Sequence, residues 1–397
     1  MTASPERKAQ ATVTLHTAIA GIEAARWNAC AAESESQETP ANPFVTHEFL
    51  ACLEESGCVG AHSGWHPAHL ALDDGAEGVS GCVPAYVKSH SQGEYVFDAG
   101  WADAFERAGG DYYPKIQVSV PFTPVNGPRL LAGPGAGADT RRDALLGGLA
   151  ALCEQANASS VHVTFADAAD CEAMQRAGFL MRSDIQYHWF NDGYADFDAF
   201  LATLASRKRK TIRRERRAAT DAGIAFRHLR GGEIGEREWD AFFAFYMDTG
   251  SRKWGRPYLN RAFFSLLGER MGERVLLILA EVEGVPVAGA LNLIGADTLY
   301  GRYWGTTVDQ PFLHFETCYY QAIDFAIAHG LACVEAGAQG PHKLARGYRP
   351  VITRSGHFIR HPGLRRAVAD YLEAERPAVE HDAAELARHL PFRRGDG

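Results

Sequence analysis

Long uninterrupted hydrophobic runs are missing from this chain. No stretch reaches the roughly 18 apolar residues that cross a bilayer. The opening segment Met1–Thr12 carries Pro5, Arg7 and Lys8 and no apolar core, so it reads as a loose tail and not as a signal peptide. These absences lead to the expectation of a soluble, cytoplasmic protein. Cysteine is sparse and scattered: Cys30, Cys52, Cys58, Cys82, Cys153, Cys171, Cys318 and Cys333 form no C-x-x-C pair. Free, buried thiols are expected, and no His/Cys spacing suits a metal, so none is expected. The phosphate-cradling patterns G-x-x-x-x-G-K-[ST] and G-x-G-x-x-G are absent, as is the G-x-S-x-G nucleophile elbow. P-loop, dinucleotide-binding and common hydrolase readings lose ground together.

What the chain does have is an ordinary globular composition, 46% hydrophobic and 22% charged over 397 residues. That length exceeds a single ordinary core and suits two domains of about 150–200 residues. The two halves also overlay. An offset of 169 residues carries Gly178 onto Gly347, Phe179 onto Tyr348 and His188 onto His357. It carries the helix-like 143–157 onto 312–326 and the strand-like 161–165 onto 330–334. Upstream, each half has a hairpin-like stretch, His69–Val87 and Leu276–Leu293, the second turning at Glu283-Gly284. The hairpins match at offset 208, so the first half holds extra residues, placed at His90–Lys115. A duplicated unit follows, in the order hairpin, strand, helix, strand, short helix, strand.

Charge is concentrated in one place. Ser206–Arg217 holds eight cations and one carboxylate, a net +7 on a chain of −9, which leaves −16 elsewhere. Such a helix on an acidic protein attracts phosphates, with Lys208, Arg209, Arg213 and Arg214 as candidate donors. No aromatic residues interleave, which favours phosphate contact over base reading. In the first half, Arg129-Leu-Leu-Ala-Gly-Pro-Gly-Ala-Gly137 opens a helix, and Gly133 and Gly135 are candidate phosphate amides with Arg129.

Polar and aromatic residues gather on three segments of the second half. These are the strand Tyr300-Gly-Arg-Tyr-Trp304, the helix start His314-Phe-Glu316 with Tyr319, and Glu335-Ala-Gly-Ala-Gln339 running into His342, Lys343, Arg346 and Tyr348. A carboxylate at a strand end is a candidate base when burial raises its pKa. Glu335, Glu316 and His314 are therefore base candidates, Tyr348 a proton donor and Lys343 an oxyanion donor. Arg302, Tyr303, Trp304, Tyr319, Gln339, His342 and Arg346 are candidate substrate contacts. So are Arg252, Lys253, Trp254, Arg256 and Tyr258, which follow an expected helix at 238–249, and Tyr112 and Lys115 of the insert.

Several strings resemble a known family. Ser89-His-Ser-Gln-Gly-Glu-Tyr-Val-Phe-Asp98, Val120-Pro-Phe-Thr-Pro124, Arg252-Lys-Trp-Gly-Arg-Pro-Tyr258, Tyr300-Gly-Arg-Tyr-Trp304 and Glu335–Lys343 resemble bacterial predicted N-acyltransferases of the peptidoglycan biosynthesis or recognition group, similar to FemABX peptidyltransferases. The resemblance implies an α/β (α+β) fold of tandem duplicated GNAT (acyl-CoA N-acyltransferase) domains, with mixed central sheets flanked by helices. The expected divisions are a tail 1–12, a first domain 13–195, a basic connecting helix 196–225, a second domain 226–375, and a C-terminal helix and tail 376–397. The implied activity moves an acyl or aminoacyl group from acyl-CoA or aminoacyl-tRNA to a small-molecule or peptide amine, by direct attack without a covalent intermediate. No permanently bound cofactor is implied, and tRNA is a possible partner. The alternative from another class is a non-catalytic module binding a cell-wall precursor or RNA phosphates.

Overall fold

The computed structural model describes residues 11–34, 40–75, 78–253, 257–338 and 340–393, with side chains of 251–253 left aside. The strands of the first half are β1 (Thr12–His16), β2 (Trp65–Pro67), β3 (His69–Asp73), β4 (Val79–Val83), β5 (Ala85–Lys88), β6 (Lys115–Val118), β7 (Ser160–Val163) and β8 (Leu180–Phe190). Those of the second are β9 (Ile224–Leu229), β10 (Val275–Val282), β11 (Val285–Ile294), β12 (Thr298–Thr306), β13 (Cys333–Glu335) and β14 (Arg349–Ile359). Helices α1 (Ala24–Ala31), α2 (His47–Glu55), α3 (Ala99–Arg107), α4 (Ala138–Gln155), α5 (Ala168–Arg176) and α6 (Phe197–Thr203) precede the basic α7 (Ser206–Asp221). After it come α8 (Glu236–Lys253), α9 (Arg261–Met271), α10 (Leu313–Phe315), a π-helical turn Glu316–Tyr320, α11 (Gln321–Ala328), a 3-10 turn Pro341–Arg346 and α12 (Pro362–Arg388).

Two compact units emerge. The first comprises Met1–Pro121, Asn126–Arg182 and Arg354–Glu373; the second comprises Phe122–Val125, Ser183–Thr353 and Ala374–Gly397. The units are therefore discontinuous in sequence, unlike the continuous stretches 13–195 and 226–375. The reason lies in strand pairing. Gly356–Ile359 of β14 pair antiparallel with β7 and so count with the first unit. His188–Phe190 of β8 pair antiparallel with β13 and count with the second.

In the first unit, β1, β3 and β4 form an antiparallel sheet, while β2, β5 and β6 pair antiparallel and β6 runs parallel to β7. Helix α4 packs here because Leu145, Leu149 and Leu152 recur at helical spacing, and all are buried. Asp139 sits in its first turn, where the helix dipole favours an anion. The insert separates β5 from β6 and contributes α3. Its Trp101 and Tyr112 pack with Ile359, Leu364 and Val368 in a small core.

In the second unit, β9, β10, β11 and β12 form an antiparallel meander, and β12 continues in parallel to β13. The β10–β11 turn falls at Glu283-Gly284 as the sequence indicates, with both φ angles positive (50° and 76°), the geometry of a type I′ hairpin. Strand β10 is buried along nearly its whole length, as the centre of a covered sheet must be. Among the described residues, no helix is long and apolar enough to cross a membrane.

Candidate active site

Strands β12 and β13 stay paired only from Thr298↔Cys333 to Tyr300↔Glu335. Past that point β13 ends, while β12 runs on to Thr306, paired on one side with β11. A cleft opens in the gap, lined by Ala290, Leu291 and Asn292 of β11, Gly301–Trp304 of β12, His314, Cys318, Tyr319 and Ala336, with a volume of about 90 Å³. A β-bulge shapes its floor. Leu291 pairs with Tyr303 and Asn292 with Gly301, leaving Arg302 as the extra residue. Bulges re-aim side chains in this way, often beside active sites. Gly301 leaves little room there: an added Cβ would lie 3.1 Å from Asn292 Oδ1, so that side chain would have to give way. That oxygen is buried without a hydrogen-bond partner among the described residues.

Arg302 turns under the floor. Its Nη2 donates to Glu335 Oε2 at 2.7 Å and its Nη1 to the Gly301 carbonyl at 2.9 Å. His188 Nε2 lies 3.8 Å from the other Glu335 oxygen and 3.3 Å from Gln186 Oε1. Burial lowers the His188 pKa, so the imidazole is neutral near pH 7. Glu335 thus spends its carboxylate on Arg302, an arrangement that fixes the guanidinium instead of leaving a base facing solvent.

The facing wall is aromatic. The His314 ring lies 5.2 Å from Trp304 and 5.3 Å from Tyr319 between centroids. The Tyr319 hydroxyl and His342 Nε2 share a 2.9 Å hydrogen bond. Tyr303 donates to the Phe122 carbonyl at 3.1 Å, and Phe122 stacks on Tyr258 at 4.7 Å. Tyr258 is thereby linked to the cleft strand. Lys343 sits behind the lining, its Nζ donating to the Ala336 and Gly337 carbonyls at 2.5 and 3.0 Å. Burial first, then Arg302, brings its pKa down to about 7.

Other sequence candidates fall elsewhere. Glu316 begins the π-helical turn and faces α7, accepting from Arg216 at 3.1 Å and Gln321 at 2.8 Å, with burial raising its pKa. Arg346 makes a two-oxygen pair with Glu215 (3.0 and 2.9 Å) and lies 3.4 Å over the Phe315 ring. Tyr348 is fully buried, its hydroxyl without a hydrogen-bond partner among the described residues. A proton donor at the surface of the cleft cannot be so placed. None of the three lines the cleft. Arg252, Lys253, Trp254, Arg256 and Gln339 lie outside the described side chains.

In the first unit the corresponding opening is closed by the chain itself. Past β6 and β7, Gly127 bridges to Ala166. Arg129 is fully buried and donates to the carbonyls of Thr164, Gly127 and Pro128. Its guanidinium cannot reach a phosphate. The Gly133 amide donates to the Cys30 carbonyl, and Arg141 takes the Ala132 and Pro134 carbonyls, so the glycine loop is tied inward at its start, while Gly135 is exposed. Lys115 and Tyr112 do meet, but in a closed network. Lys115 Nζ donates to Glu94 and Asp98, each at 2.6 Å, and the Tyr112 hydroxyl donates to Asp98 at 2.8 Å. On α7, Lys208, Arg213 and Arg214 are exposed and Arg209 half-buried. Arg213 pairs with Asp198 at 2.7 Å. Sequence reasoning missed Asn292 and Gly301, although a lone Asn in the apolar run Ala290-Leu-Asn-Leu293 is a visible signal.

The FemAB-like family profile, described as peptidoglycan biosynthesis/recognition, matches residues 18–394. Among solved structures, FemX is similar over 81% of this chain and 94% of its own, at 12% identity and a TM-score of 0.51. A tandem GNAT protein from the clavulanic acid biosynthesis pathway covers 88% and 98% at 11% identity and a TM-score of 0.47. L-PGS from Bacillus licheniformis covers 86% and 96% at 10% identity and 0.48. No curated protein matches. The FemX likeness supports the tandem GNAT-type fold, and the profile covers nearly the whole chain: it belongs to the FemAB-like family.

Proposed function

We propose that the chain is an acyltransferase that moves an aminoacyl group from an ester donor, aminoacyl-tRNA, to an amine of a peptidoglycan precursor, in the cleft between β12 and β13. One observation carries the choice of donor. A coenzyme A pyrophosphate would need free amides in the loop after β12, and the amides where that loop begins are already engaged. Thr306 N–H donates to Thr249 Oγ1, Thr307 N–H to the Val287 carbonyl, and Val308 N–H to Thr306 Oγ1. Pro311 has no N–H to give, and Asp309 adds a negative charge. The basic face of α7 supplies what a nucleic-acid donor requires: Arg207, Lys208, Lys210, Arg214 and Arg217 are exposed and carry no ion pair among the described residues.

In this reading the acceptor amine attacks the ester carbonyl. A C–N bond forms, the C–O bond to the ribose breaks, the amine loses a proton and the ribose oxygen gains one. His314, on the lining, takes the amine proton. The hydrogen-bonded Tyr319–His342 pair returns a proton to the leaving oxygen. Arg302, fixed by Glu335, places positive charge beneath the developing oxyanion. Lys343 holds the Ala336–Gly337 carbonyls and so sets the cleft edge.

The test is product formation, followed by mass, from charged tRNA or acetyl-CoA in the presence of a stem-peptide precursor. Aminoacylated precursor from charged tRNA alone is expected. Acetylated precursor would reverse the donor. Precursor binding without any product would replace the enzyme by the binding module.

A further inference from the structure

Beside the basic helix lies a hollow that the transfer chemistry does not use. It is lined by Asp196, Phe197, Asp198, Leu201, Arg213, Arg216, Arg217 and Asp324 and has a volume of about 590 Å³. The sequence of α7 has no interleaved aromatic residue, but the fold supplies one: Phe197 of α6 comes to the same place. The guanidinium carbon of Arg216 lies 4.2 Å over its ring centroid. Below, Phe197 rests edge-to-face on Phe200 and Tyr320. The carboxylates are mostly committed. Asp198 pairs with Arg213, Asp324 with Arg216 at 2.5 Å, and Asp196 caps α6 through the Ala199 amide. Arg217 remains exposed at the rim.

We infer that this hollow holds one unstacked nucleotide of a single-stranded nucleic acid, an inference that rests on the reading of α7 as the anion-binding face. Planar groups on aromatic and guanidinium surfaces receive bases, and rim cations receive phosphate. The carboxylates discriminate further. A nucleoside brings hydroxyl and amine donors that Asp196 and Asp324 accept, whereas a phosphodiester brings none. A duplex, with its bases stacked inside, engages only the outer face of α7.

Fluorescence anisotropy on the full chain tests this with a short single-stranded RNA, an RNA duplex of equal charge and a lysyl-alanyl-alanine tripeptide. Single-stranded RNA binds more tightly than duplex, and Phe197→Ala weakens single-strand binding by about tenfold, near the loss of one stacked base, while duplex binding is unchanged. Because Phe197 is partly packed, Phe197→Leu keeps the apolar contact and shows the same loss, and Phe197→Tyr restores binding. Equal binding of both RNAs, indifferent to Phe197, overturns this inference and leaves the anion face intact. Binding of neither overturns both. Tripeptide binding that depends on Phe197, with none of RNA, assigns the hollow to a peptide and overturns the inference.

Discussion

At the scale of single residues, the chain places several ionisable groups in dry surroundings and pairs many of them with one another. His162 and His357 face one another at 2.7 Å between Nδ1 atoms, so one proton serves both. Burial lowers both pKa values, that of His162 to about 3. In the unfolded chain the same groups titrate near 6.5. Stability is therefore full above pH 6.5 and is lost as pH falls toward 3, because the unfolded state binds more protons in that window. Glu94, whose pKa burial raises, acts in the opposite sense above its ordinary value. The denaturant midpoint is expected to drop between pH 7 and pH 5, and His162→Asn should flatten the drop. An unchanged slope in that variant would contradict the assignment. Gly301→Ala belongs to the same scale. The new methyl meets Asn292 Oδ1 at 3.1 Å, so transfer activity should fall while the melting temperature moves little.

Secondary-structure elements show how the basic helix is anchored. The inner face of α7 carries Glu215, which accepts from Arg346 and the Tyr320 hydroxyl, and Arg216, which donates to Glu316 and Asp324. Arg346 also donates to the His342 carbonyl at 2.9 Å. Through that bond Glu215 steadies the 3-10 turn that carries Lys343. Glu215→Ala leaves a buried guanidinium unpaired and should cost about 3–5 kcal/mol, read by denaturant unfolding. A loss below about 1 kcal/mol would mean the pair is no more than a surface contact. Helix α8 approaches β12 so closely that a Cβ at Gly305 would lie 2.2 Å from the Phe245 backbone. Gly305→Ala should destabilise by at least about 1–3 kcal/mol, since backbone cannot step aside as a side chain does.

Across the whole molecule, the order of elements was legible because it is written in local signals: the Glu283-Gly284 turn, the Leu spacing of α4, and the repeat of Gly178 and Gly347. Which strand pairs with which was not. Nothing in the string His357-Phe-Ile359 says that its neighbour is β7. The cleft residues Arg302, Tyr303, Trp304, His314 and Tyr319 stood out because polar and aromatic groups on strand and helix are costly unless used. Glu316 and Tyr348 look the same in sequence, and only helix facing and burial separate them from the lining. The glycine loop at Gly133–Gly137 reads as a phosphate cradle until its tertiary partner, the Cys30 carbonyl, is seen to take the Gly133 amide.

The central claim is that chemistry occurs where β12 leaves β13. The most direct test is the single-turnover rate of label transfer from charged tRNA to the precursor by His314→Ala. The account predicts a fall of about 100-fold or more, in the range of a lost general base, with donor affinity and melting temperature near wild type. A rate close to wild type would place the reacting groups elsewhere in the protein.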